Sequence, residues 1–268
     1  MANFEEGSSP EFIGKLARKN LDVIRERYGD GVSESKREGD LEYHNELHTL
    51  EVMRATKTLI RLWNEKSRRE LEREKLTGQP PSIEPITERE ETLLEIAASG
   101  HDRVQNAREL LKENFKHGSN ERMSADEVAA DMRAPGSGFS EKDIAFVRAC
   151  ILGTIPEFLP DRLLQPMAET KKMLHAGEIT EYQFELAKLL ADADLASFGQ
   201  GLKVFGDWSV RLFKEMKRDP KDFTEFLKYE ISILQNHVWL SKIGQEAFPD
   251  KQESIGAMKK MLEAKSTV

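Results

Sequence analysis

Cysteine is almost missing from this chain: Cys150 is the single one among 268 residues. That excludes a disulfide framework and a cysteine-ligated zinc site, and it points to a reducing compartment. Long apolar runs are missing too, since none approaches the roughly 20 residues needed to cross a bilayer. The segment Met1 to Pro10 is polar and lacks the apolar core of a secretory signal. A cytoplasmic location without a membrane partner is therefore expected. Nor is there an excess of basic residues: 40 Lys and Arg stand against 48 Asp and Glu, a net charge of −8. That balance argues against general affinity for nucleic acid, although a local basic groove is not excluded. Strand-like alternation is scarce, no internal repeat is visible, and no linker is long enough to separate two cores.

What is present reads as helix. Hydrophobic residues make up 38% and charged residues 33%, a balance that suits a soluble, heavily helical protein. Capping-box patterns occur at Thr87/Glu90, Ser124/Glu127 and Thr180/Gln183, with Ser140/Asp143 a close variant. Asp219-Pro220 reads as an N-cap followed by proline in the first helical position. Helices are predicted near 11–28, 41–74, 88–101, 103–116, 124–132, 140–153, 160–175, 180–198, 201–217, 220–245 and 252–264. The almost wholly charged run from Asn64 to Lys75 reads as a solvated helical extension leading to the Pro-rich loop Gln79-Pro80-Pro81. Gly29 to Asp40, Thr77 to Pro85 and Ala134 to Gly138 read as connections. An all-α fold follows, divided into an N-terminal helix and connection (1–40), a core (41–199) and C-terminal accessory helices packed on it (200–268).

Three pieces of sequence carry chemistry. In the first, Leu41, His44, His48, Val52, Ala55, Leu59 and Leu62 recur at spacings of three and four, so both histidines are expected on one buried helical face. Such a pair can converge on one ion, or one imidazole can bind metal while the other faces substrate. Taken alone, it fits two backbone-bonded core histidines better. Glu46 lies two residues from each histidine, about 200° round a helix, so the zinc-protease pattern is not met. In the second, His101 continues the inward stripe of Leu93, Leu94 and Ala97, with Asp102 beside it. Imidazole plus carboxylate suits Mn, Fe, Zn, Co or Ni better than Ca, but a capping or ion-paired His-Asp at a helix end fits the dipeptide slightly better. In the third, Tyr182, Leu186, Leu190 and Asp194 follow one apolar face, so Asp194 is an acid intruding on a buried stripe, costly unless paired or bound to a cation. Asp192 falls with Glu181, Glu185 and Lys188 and is expected to be solvated.

Tyr43-His44-Asn45-x-x-His48, then His101-Asp102, then Ala193-Asp194-Leu195 resemble the HD superfamily of metal-dependent phosphohydrolases, whose signature is His…His-Asp…Asp. The first and last pieces are similar to those of the cyclic-nucleotide phosphodiesterases of that superfamily. Small bacterial predicted HD phosphohydrolases are more similar still. They share a segment like Asn120-Glu121-x-x-Ser124-Ala125 and a closing Asp-Ala-Asp-Leu-Ala followed by glycine, here Asp192 to Gly199. The resemblance covers roughly Leu41 to Gly199 and implies an HD-domain helical bundle. It also implies His48, His101, Asp102 and Asp194 as ligands of a divalent transition metal (Mn, Fe, Co, Ni or Zn), with Mg at a second, weaker site. His44 matches the histidine that protonates the departing oxygen in the phosphodiesterases. Glu121 matches a residue that orients water, binds a second ion or merely begins the Ser124 helix. The phosphodiesterases carry a further histidine soon after His-Asp, whereas Asp102 is followed by Arg103-Val104-Gln105-Asn106, which puts a tight binuclear centre in doubt.

The expected activity is hydrolysis of a phosphomonoester or phosphodiester, of nucleotide type, by metal-activated water, with Asp102 bridging ion and water. Arg103 is a candidate for a substrate phosphate, because guanidinium matches phosphate geometry, although a salt bridge is the commoner role for one arginine. Two rivals stand beside this reading. One is an HD-fold di-iron oxygenase, which needs more histidines than His117 and His175, both read as exposed helix ends. The other is a non-catalytic metal- or nucleotide-binding regulator. A homodimer is left open. Trp63, Trp208 and Trp239 read as core anchors, Met167, Met173, Met258 and Met261 as packing residues, and Asn236-His237 as a buried pair or a lid contact.

Overall fold

Capping boxes do begin helices at three of the predicted places. Thr87, Ser140 and Thr180 each accept from the backbone amide three residues on, while Glu90, Asp143 and Gln183 reach back to the cap. The computed structural model describes residues 10–28, 41–105, 118–159, 162–215 and 223–266. The predicted N-cap at Asp219, most of the helix predicted over 103–116, the connection Gly29 to Asp40, and His117 lie outside the described residues.

In chain order the elements are α1 (Pro10–Tyr28), α2 (Glu46–Thr77), α3 (Glu88–Gly100), α4 (Ser119–Met132), α5 (Glu141–Gly153), a hairpin of β1 (Glu157–Leu159) and β2 (Arg162–Leu164), α6 (Ala168–His175) and α7 (Glu181–Asp194). A 3-10 turn at Ala196–Gly199 leads to α8 (Leu202–Glu215), α9 (Phe223–Asn236), α10 (Lys242–Ala247) and α11 (Lys251–Ser266). The fold is all-α with one small exception. The hairpin pairs Glu157 with Leu164, Phe158 with Leu163 and Leu159 with Arg162, antiparallel, where a helix was expected. Two short apolar runs flank Pro160-Asp161, a turn-type dipeptide in the sequence, and Pro166 bars a helix until Ala168.

The core is organised around α5, which is buried nearly all round through Ile144, Phe146, Val147, Cys150 and Ile151 and packs against α3, α4 and α7. A helix apolar on every side is what a central position requires. α2 lies across α3 and α7, and α1 covers α3. The far half of α2 runs into solvent as far as Gly78, which caps it in the left-handed conformation. Only its inner side is tied down: Trp63 Nε1 donates to the Glu84 carbonyl and Ser67 Oγ to that of Ile83.

The C-terminal helices form a separate cluster in which Leu195, Phe198 and Phe205 meet Leu227, Leu234, Ile255 and Met258. α10 belongs instead with the first core, where Ile243 and Phe248 insert. This placement buries Asp192, which is 1% exposed, against the expectation that it is solvated. Its Oδ1 accepts from the Leu240 amide, and its Oδ2 accepts from the Ser241 amide and hydroxyl. The charged-looking face of α7 is covered because the chain returns across it some 50 residues later, and three donors replace water at the carboxylate. Gly244 allows this approach, since a Cβ there would lie 2.3 Å from Asp192 Oδ2.

Candidate metal centre

Asn45 sets the entrance to α2. Its side chain accepts from the amides of Leu47 and His48, and its backbone is extended (φ −130°, ψ −177°). The helix therefore begins at Glu46, so His44 lies before it, and the expectation that both histidines share one helical face is corrected. They reach the same place by different routes. His48 projects from the first turn, and His44 comes from the bend that precedes the cap, the two ring centres 6.0 Å apart.

His101 and Asp102 are placed by the abrupt end of α3. Gly100 sits so close to α4 and α1 that a Cβ would lie 2.6 Å from Val128 Cγ2 and 3.0 Å from Asn20 Nδ2. His101 then caps the helix, and its Nδ1 donates to the Ala98 carbonyl at 2.8 Å. That bond turns Nε2 forward into the group, the orientation that metal-ligating imidazoles adopt. Asp102 Oδ1 accepts from Gln105 Nε2 at 2.8 Å, and Gln105 Oε1 in turn accepts from Asn120. The turn after Asp102 is held by Ser124, whose hydroxyl accepts from the Val104 amide. Ser124 is thus inside α4, which starts five residues before the predicted cap, and Glu121 lies in its first turn.

Asp194 ends α7 and completes the group. His48 Nε2 is 3.1 Å from Asp194 Oδ1 and 3.4 Å from Asp102 Oδ2, and His101 Nε2 is 3.1 Å from Asp102 Oδ2 and 3.5 Å from Asp194 Oδ1. Four donor atoms from three helices therefore face one another. His101 Nε2 and Asp102 Oδ2 are buried and face each other without the geometry of a well-formed hydrogen bond, an arrangement that a cation between them would suit. The buried His48, His101 and Asp102 form a group able to hold a metal ion. Burial alone would discharge His101, but Asp102 and Asp194 outweigh it and raise its pKa well above the ordinary value. The same imidazoles hold both carboxylates below their usual range despite burial.

Around this group the pocket is small, about 70 Å³, and His44, Glu121, Tyr43 and Trp208 line it with the two carboxylates. Tyr43 and Trp208 pack on the His48 ring at 4.6 and 5.5 Å, so Trp208 is at once a core anchor and a wall of the site. His44 Nδ1 bonds to Glu215 Oε1, while Glu215 Oε2 accepts from the amides of Tyr43 and His44 at 2.8 and 3.0 Å. Burial opposes charge on His44, but Glu215, Asp102 and Asp194 prevail and lift its pKa to about 9. Burial pushes the Glu121 carboxyl up to about 7, with Asp102 and Asp194 adding to the rise.

Arg103 does not join them. Its guanidinium donates to Asp131 Oδ2 at 2.6 Å and Asn20 Oδ1 at 3.0 Å, and its Nε forms an ion pair with Glu127 Oε2 at 3.0 Å. The expected phosphate contact is corrected accordingly: the arginine is a buried brace behind the His-Asp turn, and its own carbonyl accepts from Arg27. His175 is exposed, as read. Three residues that complete the site escaped the sequence reading. Glu215 stands in a charged run 171 residues from His44, which gave no signal. Gln165 donates to Asp194 Oδ2 at 3.3 Å from a stretch read as helix. Gln105, three residues after Asp102, was the one whose polar spacing offered a clue.

No protein-family model matches the chain, and no curated protein matches it.

Proposed function

We propose that the chain is a metal-dependent phosphohydrolase of the HD type, cleaving a phosphomonoester or phosphodiester, with a nucleotide-type substrate. The observation that carries this reading is the convergence of His48 Nε2, His101 Nε2, Asp102 Oδ2 and Asp194 Oδ1, each nitrogen within 3.5 Å of both oxygens. Two imidazoles and two carboxylates are a donor set for Mn, Fe, Co, Ni or Zn. The four residues would hold the ion, which supplies Lewis-acid polarisation of a phosphoryl oxygen and a water of lowered pKa.

The chain's own groups then divide the work. Asp102 Oδ1 and Asp194 Oδ2 are oriented by Gln105 and Gln165, so both carboxylates present a fixed oxygen. His44, held protonated near neutral pH by Glu215, donates its proton to the leaving oxygen, a contribution of typically about 10²–10⁴ in rate. Glu121, with its pKa near neutrality, can accept a proton from an attacking water. Tyr43 and Trp208 exclude bulk water from the His48 side.

The test is metal content of protein purified without added metal, side by side with His101→Ala/Asp102→Ala, followed by hydrolysis of p-nitrophenyl phosphate and bis-p-nitrophenyl phosphate. About one transition metal per chain, lost in the double variant together with turnover, supports the reading. Failure to take up metal even after reconstitution, or turnover that survives the double variant, overturns it.

A further inference from the structure

Gln165, whose amide reaches Asp194, also lines a second and much larger cleft of about 460 Å³. That volume falls in the range of small-molecule sites, about 300–1,000 Å³. Its walls come from the loop before α6, from α7 and from the segment between α9 and α10. Phe184, Trp239 and Leu240 make them apolar, and Val238, 72% exposed, stands at the rim. The His237 ring closes one side, packed edge-on against Trp239 at 4.4 Å. Burial and the neighbouring Lys251 hold this imidazole neutral, its pKa pushed down to about 3.

The charged side chains that line this cleft are of one sign. Lys171 and Lys188 line it, and no described carboxylate does. Lys188 sits 4.9 Å from the centre of the Phe184 ring and pairs with Glu185, an arrangement that leaves two of its three N–H donors for another acceptor. Lys171 is exposed and makes no ion pair among the described residues. Two ammonium groups on an apolar, aromatic-walled hollow make a local positive spot in a chain of net charge −8, and such a spot attracts anions.

We propose that this cleft is a binding site for a small organic phosphate with a flat apolar body, its phosphate held by Lys171 and Lys188 and its body by Phe184 and Trp239. A consequence follows for the metal centre, and it rests on the reading given above. The Gln165–Asp194 bond is long for an N–H···O bond, and a phosphate in the cleft is a competing charged acceptor for the same amide. A bound anion therefore draws Gln165 from Asp194 and weakens cation binding, and by linkage the cation weakens anion binding equally.

Phenylphosphonate, which cannot be hydrolysed at its P–C bond, is the probe, titrated by calorimetry into the metal-free full chain. The expected result is saturable one-to-one binding, weakened about tenfold or more by Lys171→Ala/Lys188→Ala, retained in Lys171→Arg/Lys188→Arg, and not reproduced by inorganic phosphate. No saturation, an unchanged affinity in the double alanine variant, or equally tight inorganic phosphate overturns the proposal. Mn²⁺ titrations with and without saturating phenylphosphonate separate the two readings. A several-fold loss of Mn²⁺ affinity, absent in Gln165→Ala, establishes the link. Unchanged Mn²⁺ affinity removes the link and leaves the cleft, whereas no Mn²⁺ binding at all removes the hydrolase reading and not the cleft.

Discussion

Asp192 and Asp194 stand two residues apart at the end of α7, and their surroundings are opposites. Asp192 faces the returning chain before α10 and is satisfied by two backbone amides and a hydroxyl. Asp194 faces two imidazoles and one side-chain amide. Burial raises the first to a pKa of about 6, whereas the neighbouring histidines carry the second below its ordinary value. A buried acid with neutral donors fastens two parts of a fold together, and one among imidazoles is placed to share a cation with them. The kind of partner, not the depth of burial, decides the role.

Asparagine at each position breaks this symmetry most sharply. Asp194→Asn is expected to lower metal affinity by about 100-fold or more, beyond the 10–100-fold that loss of an outer partner costs, while Asp192→Asn keeps wild-type stoichiometry. Equilibrium dialysis followed by metal analysis decides the matter, and equal losses at both positions would erase the distinction. Next in size is the dependence of metal binding on pH. His101 is raised, so a proton occupies the place of the cation at low pH. Affinity should climb about tenfold per pH unit for each proton displaced, read by chelator competition between about pH 6 and pH 8.

Stability effects are smaller and belong to the other side of the comparison. Asp192→Asn places an amide donor opposite the Ser241 amide, at a cost of about 1–3 kcal/mol in urea unfolding. Gly244→Ala forces its Cβ against the same carboxylate and should cost a similar 1–3 kcal/mol or so, without touching metal content. Smallest is a pH effect. Because the folded pKa of Asp192 is raised, its protonated form is favoured by the fold, and that stability is lost as pH rises from about 4 through about 6. The gap between wild type and Asp192→Asn should narrow over that interval, and a constant gap would show that Asp192 does not titrate there.

Legibility followed the reach of the signal. Thr87, Ser140 and Thr180 announced their helices because a cap is decided within four residues. Only Asp194 stood out by its stripe, as an acid on an apolar face; His48, His101 and Asp102 fitted structural roles taken alone, and it was the resemblance that grouped the four, whose side chains do meet. Asp192 was misread because the cover over its face comes from Leu240 and Ser241, which no periodicity within α7 can report. Ser124 showed the opposite error: a correct capping pattern was overruled when its hydroxyl found the Val104 amide. Arg103 was half legible, since an arginine beside a ligand pair can face either way, and the carboxylates that hold it lie on α4.

The partner of His44 comes from α8, at Glu215, and the Trp208 wall comes from the same helix. The residues of the cluster, His48 through Asp194, all precede Glu215 in the chain. The carboxylate that keeps His44 charged therefore comes from a part of the chain that contributes nothing to the four-residue cluster itself. The cluster and the charge on His44 are thus set by parts of the chain far apart, and truncating α8 would separate the two.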